Sequence, residues 1–428
     1  MAESPSSAAA GSPGDGARRF QAPRGTHDVL PSEATWWSLV RTIEDVTALY
    51  GWRRIQTPGF EDTNLFARTS GAASDVVNKE MYTFTDRSDR SLTLRPEGTA
   101  PICRAYVEHG LHREPQPVKA YTIAPMYRYG APGRGRYREH WQLSCEAIGS
   151  ADPALDAELI QLYHELLRRL GVTRWELRLN SIGDANCRPR YVERLNEWLD
   201  AHSDVLDEDA RHKRATSPLQ VFDVKTPSVR AALEDAPKIG ESLCDACRAN
   251  FDAVQRHLDL YGVPYVLDPT LVRGLDYYTR TTFEFVGPDE NANSTICGGG
   301  RYDGLVEAIG GPPTPGIGFG AGLERLILAL ENEGLTAEQP RLDAFFVIGD
   351  GGDRDRALAA LAELRRAGIS ADVDYAGRSF KGQMTQAGRV RARAVVIVDG
   401  AETATVRVSG GEAQTVALDE LASTLRGL

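Results

Sequence analysis

A chain of 428 residues, 42% apolar and 25% charged, has room for two or three domains around a sizeable core and excludes a disordered or fibrous class. Its net charge of −11 excludes a general polyanion binder, so any nucleic acid must meet local basic patches on an acidic body. No apolar run approaches the ~20 residues of a membrane span, so no membrane contact is expected, and six cysteines scattered without a framework point to a reducing, cytoplasmic compartment.

In chain order, residues 1–18 are rich in Ser, Ala, Gly and Pro without an apolar core, the composition of a disordered tail rather than a signal peptide. The folded region is expected to begin near Phe20, with Pro31 and Ser32 starting a helix that runs to Tyr50. GWRRIQTPGFED then predicts a short strand ahead of Pro58, at an edge or an interface. After a hairpin-like segment, TLRPEGTAPICRAYV (Thr93 to Val107) turns into a helix. Glu97 and Thr99 flank Gly98, so their side chains can converge on one small cation or, equally, cap the helix N-terminus.

A strand, a loop and a strand follow. VKAYTIAPMYRY enters a loop carrying Arg134, Arg136 and Arg138, with Arg128 at its mouth, and returns as WQLSCEAIG. On the return strand Gln142, Ser144 and Glu146 share one face, and Gln142 stands about 13 Å from Glu146, enough to hold opposite ends of one small ligand. An acidic return strand facing a basic loop suits a zwitterion beside a triphosphate better than a plain solvated hairpin.

Asp152 to Leu170 predicts a strongly amphipathic helix, and RWELRLNSIG a strand. Between about 185 and 262 the chain is helical and charged, with a basic cluster at Arg211 to Arg214, and reads as a helical insertion. Within it Cys244 and Cys247 form a CxxC. A structural zinc site needs four ligands and no second pair has suitable spacing, so helix packing is the expected role and no metal is expected.

LVRGLDYYTRTTFEF (Leu271 to Phe285) is the stretch around which the chain is organised. Phe283 and Phe285 should point one way and Arg280, Thr282 and Glu284 the other. Just before this strand, Arg273 beside Gly274 can approach a phosphate or carboxylate in bidentate fashion, and Tyr277 and Tyr278 offer phenolic hydroxyls. TPGIGFGAGLERLILAL then predicts a glycine-rich strand and a helix with Arg325 in its first turn. Gly316 to Ala321 satisfies a loose GxGxxA, but no βαβ unit or ribose-binding acid accompanies it, which argues against a nucleotide-dependent oxidoreductase. After a linker at 331–340, residues 341–428 read as a separate small α/β domain. Its stretch from Arg378 to Arg393 holds five basic residues and no acidic one, a candidate nucleic-acid contact.

Taken together, these motifs resemble the histidyl-tRNA synthetases, a class II synthetase family, in order and from about Phe20 to the C-terminus. The resemblance implies an α/β (α+β) fold: a mainly antiparallel sheet with flanking helices in a catalytic domain over 19–330, the helical insertion, and an anticodon-binding domain over 341–428. It implies activation of L-histidine with ATP and Mg2+, then transfer to histidine tRNA, by a homodimer whose interface includes Pro58. Glu97, Gly98, Thr99 and Gln142 would grip the ammonium group, Glu146 and Tyr278 would read the imidazole, and Tyr277 would shape the pocket. Arg273 would hold the carboxylate, Arg128 the α-phosphate and Arg325 the γ-phosphate, while the basic loop meets the acceptor end of the tRNA. One departure stands out: where the family carries an acidic residue two places after its Arg128 counterpart, helping to seat adenine, this chain has Gly130. A rival of another class is the catalytically silent, synthetase-like regulatory subunit of ATP phosphoribosyltransferase. It typically lacks the histidine stretch and the anticodon domain, and both patterns are found here.

Overall fold

The computed structural model describes residues 20–69, 76–275, 277–287, 295–408 and 411–427; the expected tail at 1–18 lies outside them. The chain divides into two compact units, Met1–Ala337 and Glu338–Leu428. The first unit opens with α1 (Ala34–Leu49), whose Trp36, Leu39, Ile43 and Val46 recur at helical spacing and are all buried. After β1 (Arg53–Arg54) come β2 (Phe60–Asp62), α2 (Thr63–Thr69), β3 (Tyr82–Thr85), β4 (Ser91–Leu94) and α3 (Thr99–Glu108), the middle strands forming a small separate sheet. β5 (Val118–Tyr127) and β6 (Glu139–Ile148) are an antiparallel pair in register from Val118 opposite Ile148 to Tyr127 opposite Glu139.

Next is α4 (Pro153–Leu170), started by the Asp152 side chain accepting from the Ala154 amide at 2.9 Å and ended at Gly171, φ 78°. β7 (Glu176–Ser181) leads to α5 (Arg188–Ala201), α6 (Glu208–Thr216), α7 (Pro227–Ala232) and α8 (Asp245–Tyr261). The unit closes with β8 (Val266–Leu267), β9 (Thr279–Val286), β10 (Thr295–Arg301), α9 (Leu305–Ala308), β11 (Gly316–Gly322) and α10 (Leu323–Asn332). The main sheet runs β1-β5-β6-β11-β10-β9-β7-β8, parallel at its two outermost pairs and antiparallel between. The glycines of 316–321 therefore lie inside β11 with antiparallel neighbours on both sides, not in a phosphate-binding turn.

One face of this sheet is the core. Leu143, Cys145 and Ala147 of β6, Phe283 and Phe285 of β9 and Phe319 of β11 bury themselves against α1, α4, α8 and α10. Because strand side chains alternate, Gln142, Ser144 and Glu146 emerge on the other face. A fully buried ion pair fixes α4 to the sheet: Arg301 in β10 donates through Nε to Asp156 at 3.1 Å, and Thr281 donates to the same carboxylate at 2.7 Å.

Three expectations are revised. Arg280 leaves the strand alternation, because its φ of 51° and a register shift between Gly300 and Arg301 turn it out toward Asp184. The insertion encloses its own core of Tyr191, Leu195, Leu233 and Cys247, but the far half of α8 (Val254, Leu258) belongs to the main core. Cys244 and Cys247 do pack on the core of the insertion, but a second pair meets them. This pair is Asp184 and Cys187, and all four ligand atoms lie within 4.8 Å of one another. Sequence spacing does not reveal the second pair, because one of its members is a carboxylate.

In the second unit β12 (Ala344–Ile348), α11 (Arg354–Arg366), β13 (Ala371–Val373), α12 (Phe380–Arg389), β14 (Ala394–Val398), β15 (Thr403–Val408), β16 (Gln414–Ala417) and α13 (Leu421–Arg426) form a five-stranded sheet, β13-β12-β14-β15-β16, with helices. Ala344 and Phe346 face one apolar cluster with α11 and α13, while Phe345 and Val347 face another with Ala387 of α12. The basic stretch thus includes a helix, capped by Ser379. Two of its five cations are paired, Arg378 with Asp374 and Arg393 with Asp343.

Candidate active site

The polar face of the sheet opens into a cavity of about 360 Å³ that gathers Glu97, Thr99, Arg128, Gln142, Arg273, Tyr277, Tyr278 and Arg325. These residues come from five separate segments. Gly98 lies in the turn between Glu97 and Thr99, close against Ser144. Glu146 is not in the cavity wall: it is fully buried behind it, accepting from Thr99 Oγ1 at 2.7 Å and from Tyr302 OH at 2.6 Å.

The turn before α3 is held from below. Arg95, almost wholly buried, donates to the carbonyls of Thr57 and Pro125 at 2.9 Å each and so fixes the RPEG turn to both flanking segments. Glu97 then caps α3, accepting from the amides of Thr99 at 2.6 Å and Ala100 at 2.9 Å. The capping reading and the ligand reading coincide in one side chain, since Glu97 also faces the cavity. Burial pushes its carboxyl above the ordinary range, against the pull of those amide hydrogen bonds, and burial pushes Glu146 well above it.

Opposing these acceptors are guanidinium groups. Arg128 donates through Nε to the Pro96 carbonyl at 2.8 Å, and Arg325 through Nη1 to the Thr295 carbonyl at 2.7 Å. Burial, then the charges of Arg128 and Arg136, pull the Arg325 pKa down. Burial and the charges of Arg128 and Arg325 take His140 down to about 3, so it stands in the cavity neutral. Such crowding of cations is a field waiting for an anion. Arg273 forms an ion pair with Glu284, a residue on the polar face of β9 whose role the sequence reading did not identify.

Two glycines make room for these side chains. A Cβ on Gly298 would come within 2.6 Å of Arg273 Cζ, and one on Gly320 within 2.6 Å of Gln142 Nε2. Tyr277 and Tyr278 sit with ring centroids 4.6 Å apart and also pack on the core of the helical insertion. Arg188, at the first turn of α5, donates to the Tyr278 carbonyl at 2.7 Å. Tyr302, Glu284 and Arg188 carry no local motif, and only long-range pairing reveals them. At the departure from the family pattern, Gly130 faces Arg136, which pairs with Glu80 at 3.1 Å, so an acidic group does stand in this corner of the cavity.

A family model described as Histidyl-tRNA synthetase matches residues 25–326, and one described as Anticodon binding domain matches 346–428. The histidine–tRNA ligase of Caldanaerobacter subterraneus subsp. tengcongensis is 43% identical, over 95% of this chain and 99% of its own. That of Moorella thermoacetica is 49% identical, over 90% of this chain and 92% of its own. The crystal structure of apo S. aureus histidyl-tRNA synthetase matches with a TM-score of 0.79 at 37% identity, covering 95% of this chain and 100% of that one. With both family models matched in order and such identity along nearly its whole length, the chain belongs to the histidyl-tRNA synthetase family.

Proposed function

We propose that the protein is a histidine–tRNA ligase, and that the cavity binds L-histidine beside Mg-ATP. The observation that carries this is the meeting, in one cavity, of acceptors for an ammonium group (Glu97, Thr99, Gln142) with the cations Arg128, Arg273 and Arg325. A zwitterionic amino acid and a triphosphate require that combination.

In the first step a carboxylate oxygen of histidine attacks the α-phosphorus of ATP, the bond to the β-phosphate oxygen breaks, and pyrophosphate leaves. Mg2+ enters with the triphosphate as part of the substrate. Arg273 orients the carboxylate and, with Arg128, neutralises the α-phosphate as charge spreads over its oxygens. Arg325 holds the γ-phosphate. Tyr278 reads the imidazole, with Glu146 acting from beneath through Thr99, and Tyr277 shapes the wall. In the second step a ribose hydroxyl of the terminal adenosine of histidine tRNA attacks the adenylate carbonyl and AMP leaves. Both steps rest on positioning and fixed charge, without a covalent enzyme intermediate.

Residues 341–428, matched over 346–428 by the anticodon-binding family model, would bind the tRNA. The edge strand β1 and the exposed rings of Phe60 and Phe84 support a homodimer. No helix among the described residues is long and apolar enough to cross a membrane.

The test is ATP–pyrophosphate exchange with each of the twenty amino acids. Exchange should require histidine, because a site that hydrogen-bonds a polar side chain rejects analogues lacking it by roughly 10⁴ to 10⁵. Equal stimulation by several amino acids would sink the reading, and no exchange with any would favour the silent regulatory subunit.

A further inference from the structure

Outside the active site, three thiols and a carboxylate converge where the helical insertion joins the catalytic body. Asp184 and Cys187 stand in the turn after β7 and at the start of α5; Cys244 and Cys247 stand at the start of α8. The two pairs are 57 residues apart in sequence, counting from Cys187 to Cys244, yet their ligand atoms all lie within 4.8 Å of one another. Four ligands around a tetrahedral zinc at the usual bond lengths stand roughly 3.3–3.8 Å apart, so a small contraction closes the set.

Apolar packing accounts for the thiols, which lie in or against the core of the insertion, but not for the carboxylate among them. Buried cysteines serve well as small hydrophobes, but a carboxylate among three of them does not. All three thiols are free rather than joined in disulfides. The turn is also shaped around sulfur: Gly183, at φ 64°, brings its backbone so close that a Cβ there would lie 2.7 Å from Cys187 Sγ, and the Asp184 amide donates to that sulfur at 3.4 Å. Arg280, turned out of β9 by its positive φ, reaches Asp184 Oδ2 at 3.4 Å, while its Nε has no partner among the described residues. A cation on the far side of the cluster offsets the negative charge that three thiolates and a carboxylate leave around a divalent metal.

We propose that Asp184, Cys187, Cys244 and Cys247 form a structural zinc site that clamps the helical insertion to the catalytic sheet. Closed four-ligand coordination with soft sulfur donors selects zinc over magnesium or calcium and leaves no open position for chemistry. The clamp has a route to the active site. Arg188 follows Cys187 directly and donates to the Tyr278 carbonyl at 2.7 Å, while the Arg280 amide donates to the Gly183 carbonyl at 2.7 Å. Metal binding therefore fixes the backbone on which the tyrosines are mounted.

The test uses the full chain, untagged and purified without chelator, with metal content measured by elemental analysis after exhaustive dialysis. About one zinc per chain is expected. Cys244→Ser and Cys247→Ser should lose it, and Cys145→Ala, outside the cluster, should keep it. If the cluster variants fail to fold, wild-type protein loaded with Co2+ in place of zinc still decides the matter: thiolate-to-cobalt charge transfer with tetrahedral d–d bands supports the site. Protein without stoichiometric metal, a Co2+ spectrum unchanged from the aqua ion, or a disulfide joining two of these cysteines in the freshly purified chain would each overturn it. These readouts need no amino acid or tRNA, so they stand apart from the proposed ligase activity.

Discussion

Arg273 and Glu284, at opposite ends of the histidine stretch, form an ion pair across the mouth of β9, with side chains 19% and 21% exposed. The pair holds the guanidinium at the cavity wall, and Gly298 beneath it leaves room for nothing larger than hydrogen. Replacing Arg273 by alanine is expected to cut histidine-dependent exchange at least ~10²-fold, the scale for losing one donor to a developing oxyanion. Folding should persist, because Glu284 keeps some access to water. Glu284→Gln should lower exchange less, by weakening the hold on Arg273 rather than removing the cation. Near-wild-type exchange in the Arg273 variant would make the pair purely structural.

The buried pair of Asp156 and Arg301 makes a different forecast. Removing one partner leaves an uncompensated charge in the interior, so Asp156→Ala should cost about 3–5 kcal/mol of stability. Thr281 would lose its acceptor at the same time. Denaturant unfolding of the catalytic unit, read by its tryptophans, measures this; a loss below about 1 kcal/mol would mean that water or Asp303 replaces the carboxylate.

Glu324 gives a pH dependence. One carboxylate oxygen accepts from the Trp141 amide at 2.9 Å, and the other is buried without a partner among the described residues. Burial lifts its pKa from 4.5 to about 7. The folded form therefore stays protonated where the unfolded chain has already ionised. Its stability contribution is complete below the unfolded pKa and is lost as pH rises through the folded one. Glu324→Gln mimics the protonated group, so it should stabilise the protein at pH 8 by roughly 3 kcal/mol relative to wild type and have little effect near pH 4.5. Thermal melts at both pH values give the comparison, and an equal shift at both would reject the linkage.

Removing residues 338–428 should separate the two half-reactions. Every residue proposed to bind histidine and ATP lies before Ala337, so the truncated chain should still form adenylate if it stays folded. Transfer to tRNA should collapse. In the intact enzyme, tRNA affinity should fall with salt as Lys and Arg contacts to phosphate are screened, and the truncated form should bind more weakly with a shallower salt slope. The slope should also be modest for the intact chain, since Asp374 and Asp343 already pair Arg378 and Arg393. A folded truncation that charges tRNA as well as the full chain would remove this module from tRNA binding.

Much of this protein was legible along the chain. Helix periodicity with its caps marks α4 between Asp152 and Gly171, strand alternation puts Phe283 and Phe285 in the core, and the glycines of 316–322 announce a strand passing close to other groups. These signals are local: each depends on residues within a few positions of one another, where backbone period and turn chemistry dictate the outcome. The motifs that carry the family resemblance are local too. What only the tertiary structure decided are pairings between distant segments. Glu146 belongs beneath Thr99 and Tyr302 rather than in the cavity wall, Arg280 breaks the strand alternation to meet Asp184, and Cys244 and Cys247 find Cys187 across the insertion. No period in the sequence encodes such contacts. They follow from how the sheet registers and the helices pack, and buried polar groups take whichever partner that packing brings within reach.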